Sequence, residues 1–248
     1  MSRTAAALII GNEVLTGKVQ ERNLAALAKV LFGVGMTLRR VVICPDEEEG
    51  IADDLNALRA SHDVVFTSGG IGPTHDDVTI AAVARAFGRP QVRSPQLEDL
   101  LRNHFGGRLT ERHLRMADLP EGFRLLGDEP GRWPAVIVDN VYVLPGLPEV
   151  FLMKLPLIRR SLETGSTFVS RAVYTHCDEG EIADLLEHLA VDHPRVGIGS
   201  YPVWEGRGYS LKLTFDGREQ SEVDAAAEAL LAALPAESLA NPTLCEDS

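Results

Sequence analysis

Cysteine is the first shortage. Cys44, Cys177 and Cys245 are scattered, with no Cys-x-x-Cys pair among them. An odd, sparse set argues against a disulfide framework and fits reduced thiols in a cytoplasmic protein. Cys44 closes an apolar run and reads as core rather than as a reactive thiol. Long apolar runs are missing as well. Ala5–Ile10 is too short for a signal or membrane-spanning segment, so the chain is expected to be soluble, with no membrane partner. Basic residues are scarce in the second half. Residues 166–248 hold 15 acidic and 5 basic residues, a balance of −10 that leaves −2 of the total −12 for residues 1–165. Such a surface suits neither nucleic acid nor anionic lipid and reads as solvated. The seven histidines form no His-Glu-x-x-His or other metal spacing, and Gly-x-Ser-x-Gly is absent. Gly197-Ile198-Gly199 is too short for a dinucleotide fingerprint. Asp178, Glu179 and Glu181 read as an acidic helix start, and residues 204–208 as a hairpin loop.

With 248 residues, 45% of them hydrophobic, the chain can bury one good core and a second, smaller one. Ala5–Ile10 reads as a strand buried on both faces. A helix over Asn23–Val34, a strand over Thr37–Cys44, a helix over Glu47–Ser61, a strand over Val64–Ser68 and a helix from Thr79 to Phe87 follow. Strands alternating with helices predict a parallel sheet covered on both sides. Ser94-Pro95 opens a further helix reaching His104 or Phe105. Asp139-Asn140 between Ala135–Val138 and Val141–Leu144 signals a hairpin, and a helix then runs through Arg160. Composition shifts near Gly165. Beyond it come a strand (Val169–His176), a helix (Glu179–Leu189), two strands (Val196–Tyr201, Tyr209–Phe215), a helix (Ser221–Leu234) and a frayed tail from Ala236. The domains are therefore 1–165, a three-layer, mostly parallel α/β domain, and 166–248, a small acidic α+β domain of βαββα order.

Residues Thr67–Thr79 carry the chemistry. A strand runs into Ser68-Gly69-Gly70-Ile71-Gly72-Pro73-Thr74-His75-Asp76-Asp77 and then into a helix. Glycines let a turn approach an anion through its backbone N–H groups. Carboxylates beside a phosphate cradle are the wrong sign to bind phosphate alone and point to a divalent metal that neutralises both. His75 reads as a solvent-facing turn residue. Ligands in open α/β sheets sit at the carboxyl ends of strands. On this reading Gly11-Asn12-Glu13, Pro45-Asp46, Ser68–Asp77 and Pro145–Glu149 all leave such ends. Singly, each also suits a structural role: Gly-Asn-Glu is an ordinary turn, and Asp46, Asp76 and Asp77 suit acidic helix starts. Their convergence on one edge favours a site.

Gly11–Gly17 with Asn23 and Asp46, the string Ser68–Thr79 and Leu144–Glu149 together resemble the molybdopterin-binding domain of the MoaB/MogA type. The match is to the branch containing CinA (competence/damage-inducible protein A) and the N-terminal domain of eukaryotic FAD synthases. It covers about residues 4–165, and the segment after Gly165 resembles the KH-like middle domain of CinA. No counterpart of the nicotinamide mononucleotide deamidase domain of full-length CinA is found here, so that activity is not expected. The resemblance implies either a metal-dependent pyrophosphatase acting on a nucleotide such as ADP-ribose or FAD, or a role in molybdenum cofactor biosynthesis. The latter would be adenylate transfer to molybdopterin, or binding of a pterin or nucleotide without turnover. It assigns Asp46 and Asp77 as ligands of Mg²⁺, Mn²⁺ or Co²⁺, with Asp76 as a third catalytic carboxylate. Phosphate and ligand contacts fall to Asn12, Glu13, Asn23, Ser68, Gly69, Gly70, Gly72, Thr74, Pro145, Gly146 and Glu149. Self-association as a dimer or trimer is also implied. Two departures stand out. The usual Gly-Asp-Glu is Gly-Asn-Glu here, and Leu125–Ala135 differs from the usual Asn-x-x-Gly-x-Ala-Pro-Gly.

Overall fold

Every residue of Ala5–Ile10 is buried, and their alternation supplies two cores at once. In the computed structural model, which describes residues 3–127, 133–165, 167–204 and 208–240, this strand is β1 (Thr4–Ile10). Ala6, Leu8 and Ile10 join one core with Ile51, Leu55 and Leu58. Ala5, Ala7 and Ile9 join the other with Leu27, Leu31, Phe151 and Ile158. A strand that feeds both faces must lie inside a three-layer sandwich, because successive side chains point to opposite sides.

The chain divides into two compact units, Met1–Gly165 and Ser166–Ser248. In the first, β1 is followed by α1 (Asn12–Leu15), α2 (Asn23–Gly33), β2 (Thr37–Cys44), α3 (Glu48–Ser61), β3 (Val64–Ser68) and α4 (Thr79–Phe87). Then come β4 (Gln91–Arg93), α5 (Pro95–Phe105), α6 (Glu111–Arg115), β5 (Asp118–Pro120), β6 (Arg124–Leu126), β7 (Ala135–Val138), β8 (Val141–Leu144) and α7 (Pro148–Leu162). The main sheet has six strands in the order β2-β1-β3-β8-β7-β6, and β4 pairs with β5 in a separate ribbon. β1 is parallel to β2 and β3, and β3 to β8, whereas β7 runs antiparallel to both its neighbours, β8 and β6. The Asp139-Asn140 turn reverses the chain so that β8 re-enters the parallel direction and delivers Pro145 to the same edge as Gly11, Pro45 and Gly69. Asn140 anchors this turn, its amide donating to the carbonyls of Arg59 and His62 at the end of α3.

The second unit comprises β9 (Val169–Thr175), α8 (Ala183–Asp192), β10 (Gly197–Pro202), β11 (Leu211–Gly217) and α9 (Gln220–Ala233), with the antiparallel order β10-β11-β9. Val173, Leu213, Phe215, Val223 and Leu230 form its core.

Two expectations need correction. The helix expected from Glu179 starts at Ala183, because Asp178 and Glu181 are spent closing a turn: the Asp178 N–H donates to Glu181 and the Gly180 N–H to Asp178. The tail is not frayed as far as Ala240. His176 N–H and the Thr175 hydroxyl donate to the Ser238 carbonyl, and Ala240 N–H donates to the Tyr174 carbonyl. The structure adds the short elements α1, β4, β5, β6 and α6. Of the two loops singled out in the sequence, residues 128–132 of Leu125–Ala135 and 205–207 of the hairpin loop lie outside the described residues. Among the described residues no helix is long and apolar enough to cross a membrane.

Candidate functional site

Four loops leave the carboxyl edge of the parallel strands, and the structure ties them together in pairs. After β1 and β2, the Asn12 N–H donates to Asp46 Oδ2 at 2.8 Å, and the Gly11 N–H donates to the Cys44 carbonyl. After β3 and β8, buried Asn23 at the start of α2 donates through one amide nitrogen to Ser68 Oγ at 3.0 Å and to the Gly146 carbonyl at 2.8 Å. The Gly146 carbonyl can only accept, which fixes the orientation of the Asn23 amide. Asn23 Oδ1 is then buried with no protein partner. Gly146 sits so close to Gly69 that a Cβ on it would meet the Gly69 Cα at 3.1 Å.

The glycine turn is shaped by contacts no side chain could survive. Gly69 has φ 112° and a Cβ there would overlap the Ile10 carbonyl oxygen. Gly70, at φ 64°, leaves room for the buried Thr79, whose hydroxyl donates to the Gly69 carbonyl at 2.9 Å and whose N–H donates to the Gly70 carbonyl. Start of helix α4 and end of strand β3 are thereby locked. Among the described residues, the N–H groups of Gly70, Ile71 and Gly72 meet no hydrogen-bond acceptor. Asp77 closes the turn: its Oδ2 accepts from the Thr74 N–H at 2.8 Å and from the Thr74 hydroxyl, and it lies directly over Gly72. Exposed Asp76 is held below the usual carboxylate range, first by the Thr74 hydroxyl and then by its own N–H. One hydroxyl proton serves one carboxylate at a time, and the hydrogen-bond geometry gives it to Asp77.

Several expected contacts change character. Gly69 offers no free amide, since its N–H donates to the Leu144 carbonyl and extends the sheet ladder. Ser68 and Asn23 are 3% and 2% exposed, and the Asn23 amide nitrogen and the Ser68 hydroxyl are engaged in holding the Pro145–Gly146 segment. Asn12, Glu13, Thr74, Gly146 and Glu149 are exposed, and Asp46, Asp77, Gly70, Gly72 and Pro145 half-buried. No hydrogen bond joins the Asn12–Asp46 pair to the Thr74–Asp77 turn, and among the described residues no three His, Cys, Asp or Glu side chains form a cation cluster. Cys44 behind the Asp46 loop is raised to about 12 by burial and then by Asp54 and Asp46, and stays a thiol. Sequence reasoning missed the Asn23–Ser68–Gly146 strut and the Thr79 clamp; the available signal was a polar residue directly beside a glycine turn.

Residues 6–162 match the family described as "Probable molybdopterin binding domain". The chain belongs to the molybdopterin-binding domain family. Within it, a protein of Archaeoglobus fulgidus is 33% identical over 86% of this chain and 90% of its own length. A CinA-like protein from Mycobacterium sp. (strain JLS) is 38% identical over 66% of this chain and 42% of that protein. A "Probable FAD synthase" of Caenorhabditis elegans is 27% identical over 92% of this chain and 49% of that protein. The second unit extends the last likeness, since residues 167–243 match the FAD synthase middle domain. Among solved structures, CinA from Thermoplasma acidophilum superposes with a TM-score of 0.60 at 26% identity, covering 65% of this chain and 98% of that one. In this chain the Gly69–Gly72 turn and its neighbouring carboxylates lie at the carboxyl edge of the parallel strands, where open α/β sheets take ligands.

Proposed function

We propose that the carboxyl edge of the first unit binds a nucleotide-linked pyrophosphate, of the ADP-ribose or FAD type, and hydrolyses it with a divalent metal. The observation that carries this reading is the run of three unpaired N–H groups, Gly70 to Gly72, beside the Asp77 carboxylate. Converging amides hold phosphate oxygens, and preorganised donors stabilise negative charge as it develops on them. The donor set fits Mg²⁺, which usually takes one or two carboxylates and draws its remaining ligands from substrate phosphates and water. Asp46 and Asp77 would hold it, since each has one oxygen in a backbone hydrogen bond and the other outside any. When bound, such an ion lowers the pKa of a coordinated water and polarises the phosphoryl group. The chain's own work is positional. Thr74 aims Asp77, the Asn12 N–H aims Asp46, and Asn23 with Ser68 fixes the Pro145–Glu149 wall. Dimers or trimers are part of this proposal and are read by sedimentation velocity.

The test is AMP release from ADP-ribose and from FAD with Mg²⁺, Mn²⁺, Co²⁺ or EDTA. Asp77→Asn is expected to lower metal-dependent release by about 100-fold or more, the upper end seen for partners one shell further out. A second reading rests on Asn12, which brings an amide where the family's pattern has a carboxylate. On that reading the site binds a pterin or nucleotide without turnover. Tight binding with no AMP release under any metal would establish it, and co-purified pterin fluorescence would point to the molybdenum pathway.

A further inference from the structure

A groove of about 610 Å³ lies along β2 and α3, away from the Gly69–Gly72 turn. Arg39, Arg40 and Val42 of the strand form one wall, and Asp54 and Leu58 of the helix the other, with Thr4 and His62 at the amino end. Nothing in the reading above uses it. Its volume falls in the range of small-molecule sites. Arg39 and Arg40 are both exposed, and among the described residues neither guanidinium has an ion pair or hydrogen bond. His62 is oriented, because its Nδ1 lies 2.9 Å from the Leu58 carbonyl, which can only accept; Nε2 is left outside that bond. Asp63 next door is no competitor for the arginines, since its carboxylate takes the Thr4 N–H and hydroxyl.

We propose that this groove is a second ligand site, for a small oxyanion (a phosphate monoester or a carboxylate) carrying an apolar body. Arg39 and Arg40 would bind the oxyanion, with bidentate geometry available to either guanidinium. The apolar body would rest on half-buried Val42 and exposed Ala57. Asp54 at the far end keeps a second negative charge out of the groove. β2 is an edge strand of the main sheet, which raises a rival occupant: a second copy pairing there. Two β2 strands paired antiparallel about the Arg39–Arg40 peptide would set each Arg39 opposite Arg40 of the other copy, and like charges across a ladder repel. The same two charges that disfavour that pairing favour an anion.

Amide NMR titrations with phenyl phosphate and with benzoate test the site, because both probes share one apolar body. Saturable shifts are expected at Arg39–Val42 and Ala57–His62 with affinity in the millimolar range, and the tighter probe identifies the oxyanion. An Arg39→Gln/Arg40→Gln double variant should weaken binding by about 10-fold or more, and the double Lys variant by less, because it keeps the charges and loses the forks. Shifts confined to Gly70–Gly72, equal affinity in the Gln variant, or no saturation by about 10 mM would each overturn the proposal. The site is independent of pyrophosphatase activity, so AMP release should be unchanged in both variants.

Discussion

At the residue scale, the site is built from positions where a single atom decides. Gly69→Ala places a methyl group on the Ile10 carbonyl in a backbone region alanine avoids, and should cost about 2–4 kcal/mol in urea unfolding. Asn23→Asp should destabilise more than Asn23→Ala. The aspartate sets an acceptor, charged and buried, against the Gly146 carbonyl, whereas alanine only leaves Ser68 and Gly146 short of a donor. Equal effects would mean that the amide does not grip both loops. Lys154 gives a pH test. Burial lowers it to about 8, and its partner is the Trp133 carbonyl. Between about 8 and the ordinary value of 10.5 the unfolded lysine binds more protons than the folded one, so its contribution to stability rises with pH across that window. Cys44 works in the opposite direction above 9, because its folded thiol stays protonated to about 12. The comparison of wild type with Lys154→Met isolates the lysine. The gap in stability, with the methionine variant ahead at pH 7, should close as pH approaches 10.5.

At the element scale, caps and straps decide which segments hold. Ser94 is buried and accepts from the Leu97 N–H ahead of Pro95, so Ser94→Ala should cost about 1 kcal/mol in urea unfolding. Deleting residues from Ala236 onward should speed hydrogen exchange at His176, whose N–H is bonded to Ser238. Unchanged exchange there would mean that the strap is not formed in solution. Long elements of both units were legible in the sequence because their patterns are local: Ala5–Ile10 is apolar throughout, and Ser94-Pro95 announces its helix. β4, β5 and β6 are three residues each and exist through pairing with distant partners, as Gln91–Arg93 does with Asp118–Pro120. A window of sequence holds no such partner. The glycine turn and the carboxylates were legible for the same local reason. The engagement of the Gly69 amide was not, because it depends on Leu144, which β8 carries in from far along the chain.

At the scale of the whole molecule, each unit closes around its own buried residues, two clusters in the first and one in the second. Residues 1–165 expressed alone are therefore expected to melt in one cooperative calorimetric transition; a broad, non-cooperative trace would show that this core needs the second unit. The strand order β2-β1-β3-β8 also imposes a timetable. β1 is made first, yet it lies between β2 and β3, and its pairing with β3 waits until some fifty further residues have been made. The β7–β8 hairpin, closed by Asp139-Asn140, can form within microseconds of its own synthesis. On a ribosome adding about 5–20 residues per second, the apolar strand β1 thus spends seconds without its full set of neighbours. That interval is when the nascent chain has most need of a chaperone.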